Sequence, residues 1–168
     1  MNKKIAVVLL MAAALFVTGC NQDGKVDATA PAATPAEAPL VVPPSSDARA
    51  WKLYLSEVVK RHMGGIRSSP FMYYLPAEDA EDFQDQYERQ RDNVAGAVAR
   101  GVLPGNMLAF GSPSSARMAD LIVDAFQTVS PGSMQDVRVL FIGAAEDLDR
   151  VKAAVAPSEA TVVFHEVK

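Results

Sequence analysis

Val137-Arg138-Val139-Leu140-Phe141-Ile142-Gly143 is the stretch whose reading decides the fold. It is short, rich in β-branched and aromatic residues, and interrupted by only one charge. A strand wetted on one face alternates apolar with polar residues, whereas a near-continuous apolar run belongs to a strand covered on both faces. Such strands occur in parallel sheets with helices packed above and below. On the amino-terminal side, Met118, Leu121, Ile122, Ala125, Phe126 and Val129 recur at helical spacing, and Pro131-Gly132 ends that helix before the strand begins. On the carboxyl-terminal side, Leu148, Val151 and Val155 mark another helix over about 145–156, and Thr161–Val167 reads as a last strand.

Further out the alternation continues. Asn106–Phe110 is a short apolar strand, and Gly111-Ser112-Pro113-Ser114-Ser115 turns it into the helix of Met118, with Ser112 suited to the N-cap and Pro113 to the first helical position. A helix from about Asp79 to Arg100 places Phe83, Tyr87, Val94 and Val98 on one face, with acidic residues gathered near its start. Phe71–Leu75 lies between Pro70 and Pro76 as a strand. Before it, Trp51, Tyr54, Leu55, Val58, Val59 and His62 form the stripe of a first helix, about Asp47 to Met63. The order is α-β-α-β-α-β-α-β. The expected fold is therefore α/β: a small, open, mostly parallel four-stranded sheet with alternating helices, in a single globular domain spanning 48–168. The charged last strand suits a sheet edge, in either orientation.

Ahead of this domain the composition changes. Residues 21–47 are rich in Ala and Pro and lack both aromatic residues and apolar periodicity, so they read as a flexible tether. Such a chain has a coil dimension of about 30 Å and an extended reach of roughly 80 Å. The alternative is an arm lying on the domain, with Leu40-Val41-Val42 as its contact. Residues 1–20 carry Lys3 and Lys4, an apolar core from Ile5 to Phe16, and small residues ahead of Cys20, the only cysteine. These are the parts of an export signal, and the apolar core falls short of the about 20 residues a membrane span requires.

Val17-Thr18-Gly19-Cys20 resembles the lipobox of bacterial lipoproteins. The resemblance covers only the first 20 residues. It implies a signal peptide over 1–19, lipidation of Cys20 by diacylglyceryl and further acyl (palmitate-type) chains, and a mature segment 20–47 that holds the domain to a membrane without a spanning helix. Two or more acyl chains suffice for stable anchoring. Asn21, rather than aspartate, follows the anchor. In bacteria with two membranes this implies the periplasmic face of the outer membrane, within the cell envelope.

Net charge is −4, and losing Lys3 and Lys4 leaves 14 basic against 20 acidic side chains. That excess excludes nucleic acid as an expected partner and disfavours electrostatic attachment to anionic lipid. With Cys20 acylated no thiol remains for a disulfide, so stability must come from packing.

Chemistry is less legible. In open parallel sheets, ligands collect at strand carboxyl ends near helix N-termini, and three such loops occur: Pro76–Asp79, Gly111–Ser115 and Gly143–Asp147. Ser112, Ser114 and Ser115 with Arg117 form the best small-anion or small-ligand candidate; helix capping is the simpler role for those hydroxyls. A serine hydrolase would need Ser112 or Ser114 with a histidine, with Asp79 as a further member of a rim site, but neither serine lies in a Gly-x-Ser-x-Gly elbow. The histidines, His62 and His165, lack a metal-ligand spacing. We therefore assign no catalytic residue, no cofactor and no metal ligand. Arg67, Phe71, Tyr73 and Tyr74 concentrate residue types favoured at interfaces. Together these features lead to an expected non-catalytic lipoprotein whose domain binds a periplasmic protein, as an accessory to envelope assembly or as an inhibitor. Its layout is similar to that of immunity proteins that guard against envelope-directed toxins.

Overall fold

The computed structural model describes residues 38–168. The expected signal peptide 1–19, Cys20 and the first part of the segment 20–47 lie outside the described residues. The elements run α1 (Ala48–Arg61), β1 (Phe71–Tyr74), α2 (Phe83–Arg100), β2 (Met107–Gly111), α3 (Ser115–Phe126), β3 (Arg138–Gly143), α4 (Leu148–Val155) and β4 (Thr161–Glu166), with a 3-10 turn on either side of α4. This is the expected small α/β fold. All three strand pairings are parallel, in the order β1-β2-β3-β4, so the sheet is parallel throughout and β4 is an edge.

That order has a consequence for the layers. Each crossover advances one strand in the same direction, and parallel crossovers are right-handed, so the three helices that make them fall on one face. There α2, α3 and α4 pack over Leu108, Phe110, Val139 and Phe141. The other face carries Met107, Ala109, Leu140 and Ile142 and is covered by α1 through Trp51, Tyr54, Leu55, Val58 and Val59. Alternate residues of β3 thus enter two different cores, which is why its sequence shows no polar alternation. Helix α1 sits close: a Cβ at Gly111 would overlap the side chain of Leu55.

Two helices start later than their sequence suggests. Helix α2 begins at Phe83 because the preceding residues form turns, Ala80 N–H donating to Ala77 O and Phe83 N–H to Ala80 O, each at 3.0 Å. Helix α3 begins at Ser115, with Ser114 in the N-cap position. Ser112 sits two residues earlier, where its hydroxyl accepts from Ser114 N–H at 2.9 Å and closes a tight turn. By contrast, α1 starts where its stripe suggests, with Asp47 as the cap, its Oδ1 accepting from Ala50 N–H at 2.9 Å.

Residues 38–47, the last part of the segment read as a tether, lie on α1. Arg61 Nη2 donates to Ala38 O at 2.6 Å, and the Trp51 indole N–H donates to Pro44 O at 3.1 Å. Leu40 and Val42 pack against the α1 core while Val41, between them, faces solvent. Among the described residues no helix is long and apolar enough to cross a membrane.

Candidate functional site

Because the winding never reverses, the sheet has no point where neighbouring crossovers diverge, the place where parallel sheets open a ligand crevice. The carboxyl-end rim is instead laced shut. Ser115 Oγ donates to Asp147 Oδ2 at 2.6 Å and accepts from Ala144 N–H at 2.8 Å, joining the loop after β2 to the loop after β3. Gly143 makes room for this contact, since a Cβ there would meet Ser115 Oγ at 2.5 Å. Ser114 Oγ accepts from Glu78 N–H at 2.9 Å, and buried Ser112 reaches Pro76 O at 3.4 Å, so the loop after β1 is drawn in as well. Arg150 bonds Asp147, Asp120 and Ala116 O. Burial works against its charge, but the hydrogen bonds it donates to Asp120 and Asp147 outweigh that and raise its pKa.

Arg117 is drawn away from the serines. Its guanidinium lies 4.8 Å from the Tyr87 ring centroid and 5.5 Å from that of Phe83, and it pairs with Asp120 and Glu78. Tyr87 OH in turn donates to Asp124 at 3.1 Å, and burial together with that carboxylate pushes its pKa up to about 12. Ser112, Ser114 and Ser115 are therefore brought together on the rim and engaged with the protein itself, while Arg117 is turned to Glu78, Asp120 and the two rings. Asp79 makes no contact that would orient a serine. Among the described residues no group of three His, Cys, Asp or Glu is placed to hold a metal ion.

The aromatic stretch divides differently. Tyr73 stacks on Phe110 at 5.0 Å, inside the core beneath α2 and α3. Tyr74 points to the α1 face, with Lys52 Nζ 5.3 Å from its ring centroid. Its hydroxyl is buried with no hydrogen-bond partner among the described residues. Burial, and then the Asp47 carboxylate, raise its pKa. Phe71 and Met72 stay 49 % and 42 % exposed although they lie in a strand.

Two clefts flank this edge strand. A cleft of about 350 Å³ is lined by Met72 and Tyr74, by Lys52, Leu55 and Ser56 from α1, and by Gln86 and Gln90 from α2. A smaller one of about 200 Å³ sets Phe71 beside Ala97, Arg100 and Leu103. Sequence reading named Phe71 and Tyr74 but missed Met72 and Lys52. Strand alternation put Met72 and Tyr74 on one face, but that β1 lies at an edge follows from strand order, which one sequence does not carry.

Arg67 lies at the opposite, amino-terminal end of the sheet. There an open cleft of about 500 Å³ is lined by Arg67, Gly105, Asp136 and Arg138. Arg138 already donates to His62 O, and the acidic Asp136 lines the same cleft, so the positive charge is offset.

The two histidines, 103 residues apart, meet between α1 and β4. His62 Nε2 lies 3.5 Å from His165 Nδ1, and Tyr54 OH lies 3.2 Å from His165 Nε2. Burial, then His62 and Arg61, lower the pKa of His165. Sequence reading kept both as ordinary core or surface residues, and nothing local would have joined them.

Comparison with protein-family models, curated proteins and solved structures found no match for this chain.

Proposed function

We propose that the chain is a bacterial lipoprotein, exported by residues 1–19, acylated at Cys20 and held at the periplasmic face of the outer membrane, whose α/β domain binds another envelope protein. The observation that carries the binding reading is the state of β1: an edge strand with two large apolar side chains exposed and a cleft on either side. The serine rim supplies the contrast, since its hydroxyls and carboxylates are engaged with one another. Exposed apolar residues grouped with polar surroundings mark interaction surfaces, whereas isolated ones do not. An accessory or inhibitory role needs only such a surface and an anchor.

The test is crosslinking of the full-length protein in the envelope of its own cell, compared with a Cys20→Ala form. Wild type should fractionate with the outer membrane and yield a discrete heteromeric adduct. The Cys20→Ala protein should leave the membrane fraction and lose most of that adduct. Wild type recovered without any adduct would count against binding; Cys20→Ala protein that stayed on the membrane would count against the anchor.

A further inference from the structure

We infer that β1 is a strand-addition site that takes an extended, acidic and apolar segment of the partner protein as a fifth strand; the inference rests on the protein-binding reading above. Parallel strands direct the N–H and C=O of a given residue to the same neighbour, and alternate residues face alternate sides. Leu75 N–H donates to Gly111 O at 3.4 Å, which fixes the parity: Phe71 and Tyr73 face β2, while Met72 and Tyr74 face outward. No strand lies on that side in the sheet order. Those outward groups open onto the cleft that Met72 and Tyr74 line, bounded by α1 and α2.

Two further observations define the occupant. An added strand supplies main-chain hydrogen bonds and drops alternate side chains into pockets beside the edge, which suits an edge with a cleft on each flank. The charge is the reverse of the chain's own. Lys52 lines one cleft and Arg100 the other, and neither lining includes a carboxylate, although acidic side chains outnumber basic ones in the chain. A segment carrying Asp or Glu among apolar residues fits this charge. A second copy of β1 would instead bring a second Lys52 and Arg100 to the same edge.

The test places a photoreactive side chain at Gln90 in the full-length protein, with a control at exposed Lys152 on α4, and crosslinks in intact cells. Mapping should find the Gln90 adduct on an acidic, apolar partner segment. Met72→Pro removes only an outward N–H, a position where an edge strand tolerates proline. It should cut the adduct by about tenfold, whereas Met72→Ala, which keeps the main-chain bonds, should change it by less than about threefold. Met72→Glu leaves the backbone intact should the proline variant not fold, and it should lose the adduct where Met72→Lys keeps it. A partner caught by bulk crosslinking or at Lys152 but not at Gln90 would overturn strand addition and leave the protein-binding reading standing. So would adduct yield that is equal in the Met72→Pro and wild-type proteins. An adduct between two copies at Gln90 would identify self-pairing and overturn the partner segment. Absence of any partner in every arm would overturn both readings.

Discussion

Ser115 shows how a residue suited to ligand binding can be taken up by the fold. Its hydroxyl has one proton and two lone pairs. The proton goes to Asp147, and one lone pair takes the Ala144 N–H. Asp147 is buried, and Arg150 also holds it. Removing one member of such a set leaves a buried donor or acceptor without a partner, a loss larger than the net worth of the bond. Ser115→Ala should therefore destabilise the domain by about 1–3 kcal/mol. Urea titration should show a lower midpoint with an unchanged slope. A midpoint within error of wild type would mean that the rim is not the clasp described above, and would return Ser115 to the pool of residues open to a ligand.

At the scale of elements, α1 is the exception: three helices share one face of the sheet, and α1 with residues 38–47 covers the other. Its seating depends on the absence of a side chain at Gly111, against which Leu55 rests. Gly111→Ala should cost about 1–3 kcal/mol through overpacking. If the clash is the cause, the double variant with Leu55→Ala should be markedly less destabilised than the two single losses added together. Strict additivity would place the cost elsewhere. The contact of α1 with β4 adds a pH dependence. The folded pKa of His165 lies below its ordinary value of 6.5, because burial, His62 and Arg61 all disfavour the charged ring. The folded state then binds fewer protons than the unfolded state, so this contribution is complete above about pH 6.5 and is lost as pH falls. Unfolding midpoints at about pH 7.5 and pH 5 should drop for wild type and drop less for His165→Gln. Equal drops would remove His165 from the account. The elements themselves were legible in the sequence wherever the signal is local: the stripes of Trp51–Val59 and Met118–Phe126 and the run of β3 each need only a few adjacent residues. The sites were not. Ser115 and Asp147 are 32 positions apart, and His62 and His165 are 103; each is an ordinary residue until strand order brings the pair together.

For the whole molecule, where the domain begins is a stability question. With one cysteine in the chain no intramolecular disulfide can form, so the domain is held by non-covalent contacts alone. Part of that packing comes from residues 38–47. Leu40-Val41-Val42 is an apolar triplet set among prolines, a legible sign of contact in an otherwise featureless stretch, and its two flanking members do pack on α1. Composition pointed to a tether because alanine and proline dominate the average, while a contact needs only two side chains and two hydrogen bonds. Pro44 O also takes the indole N–H of Trp51, whose ring is buried, and Arg61 holds Ala38 O at the far end of the helix. A protein beginning at residue 48 would lose the Asp47 cap, expose part of the α1 core and leave the indole N–H unpaired. It should be about 2–4 kcal/mol less stable than one beginning at residue 38. Differential scanning calorimetry of the two proteins checks this directly. A lower transition temperature for the shorter one puts the domain boundary near Ala38. Coincident transitions would mean that 38–47 only rests on α1 and that the cooperative unit begins at the helix itself.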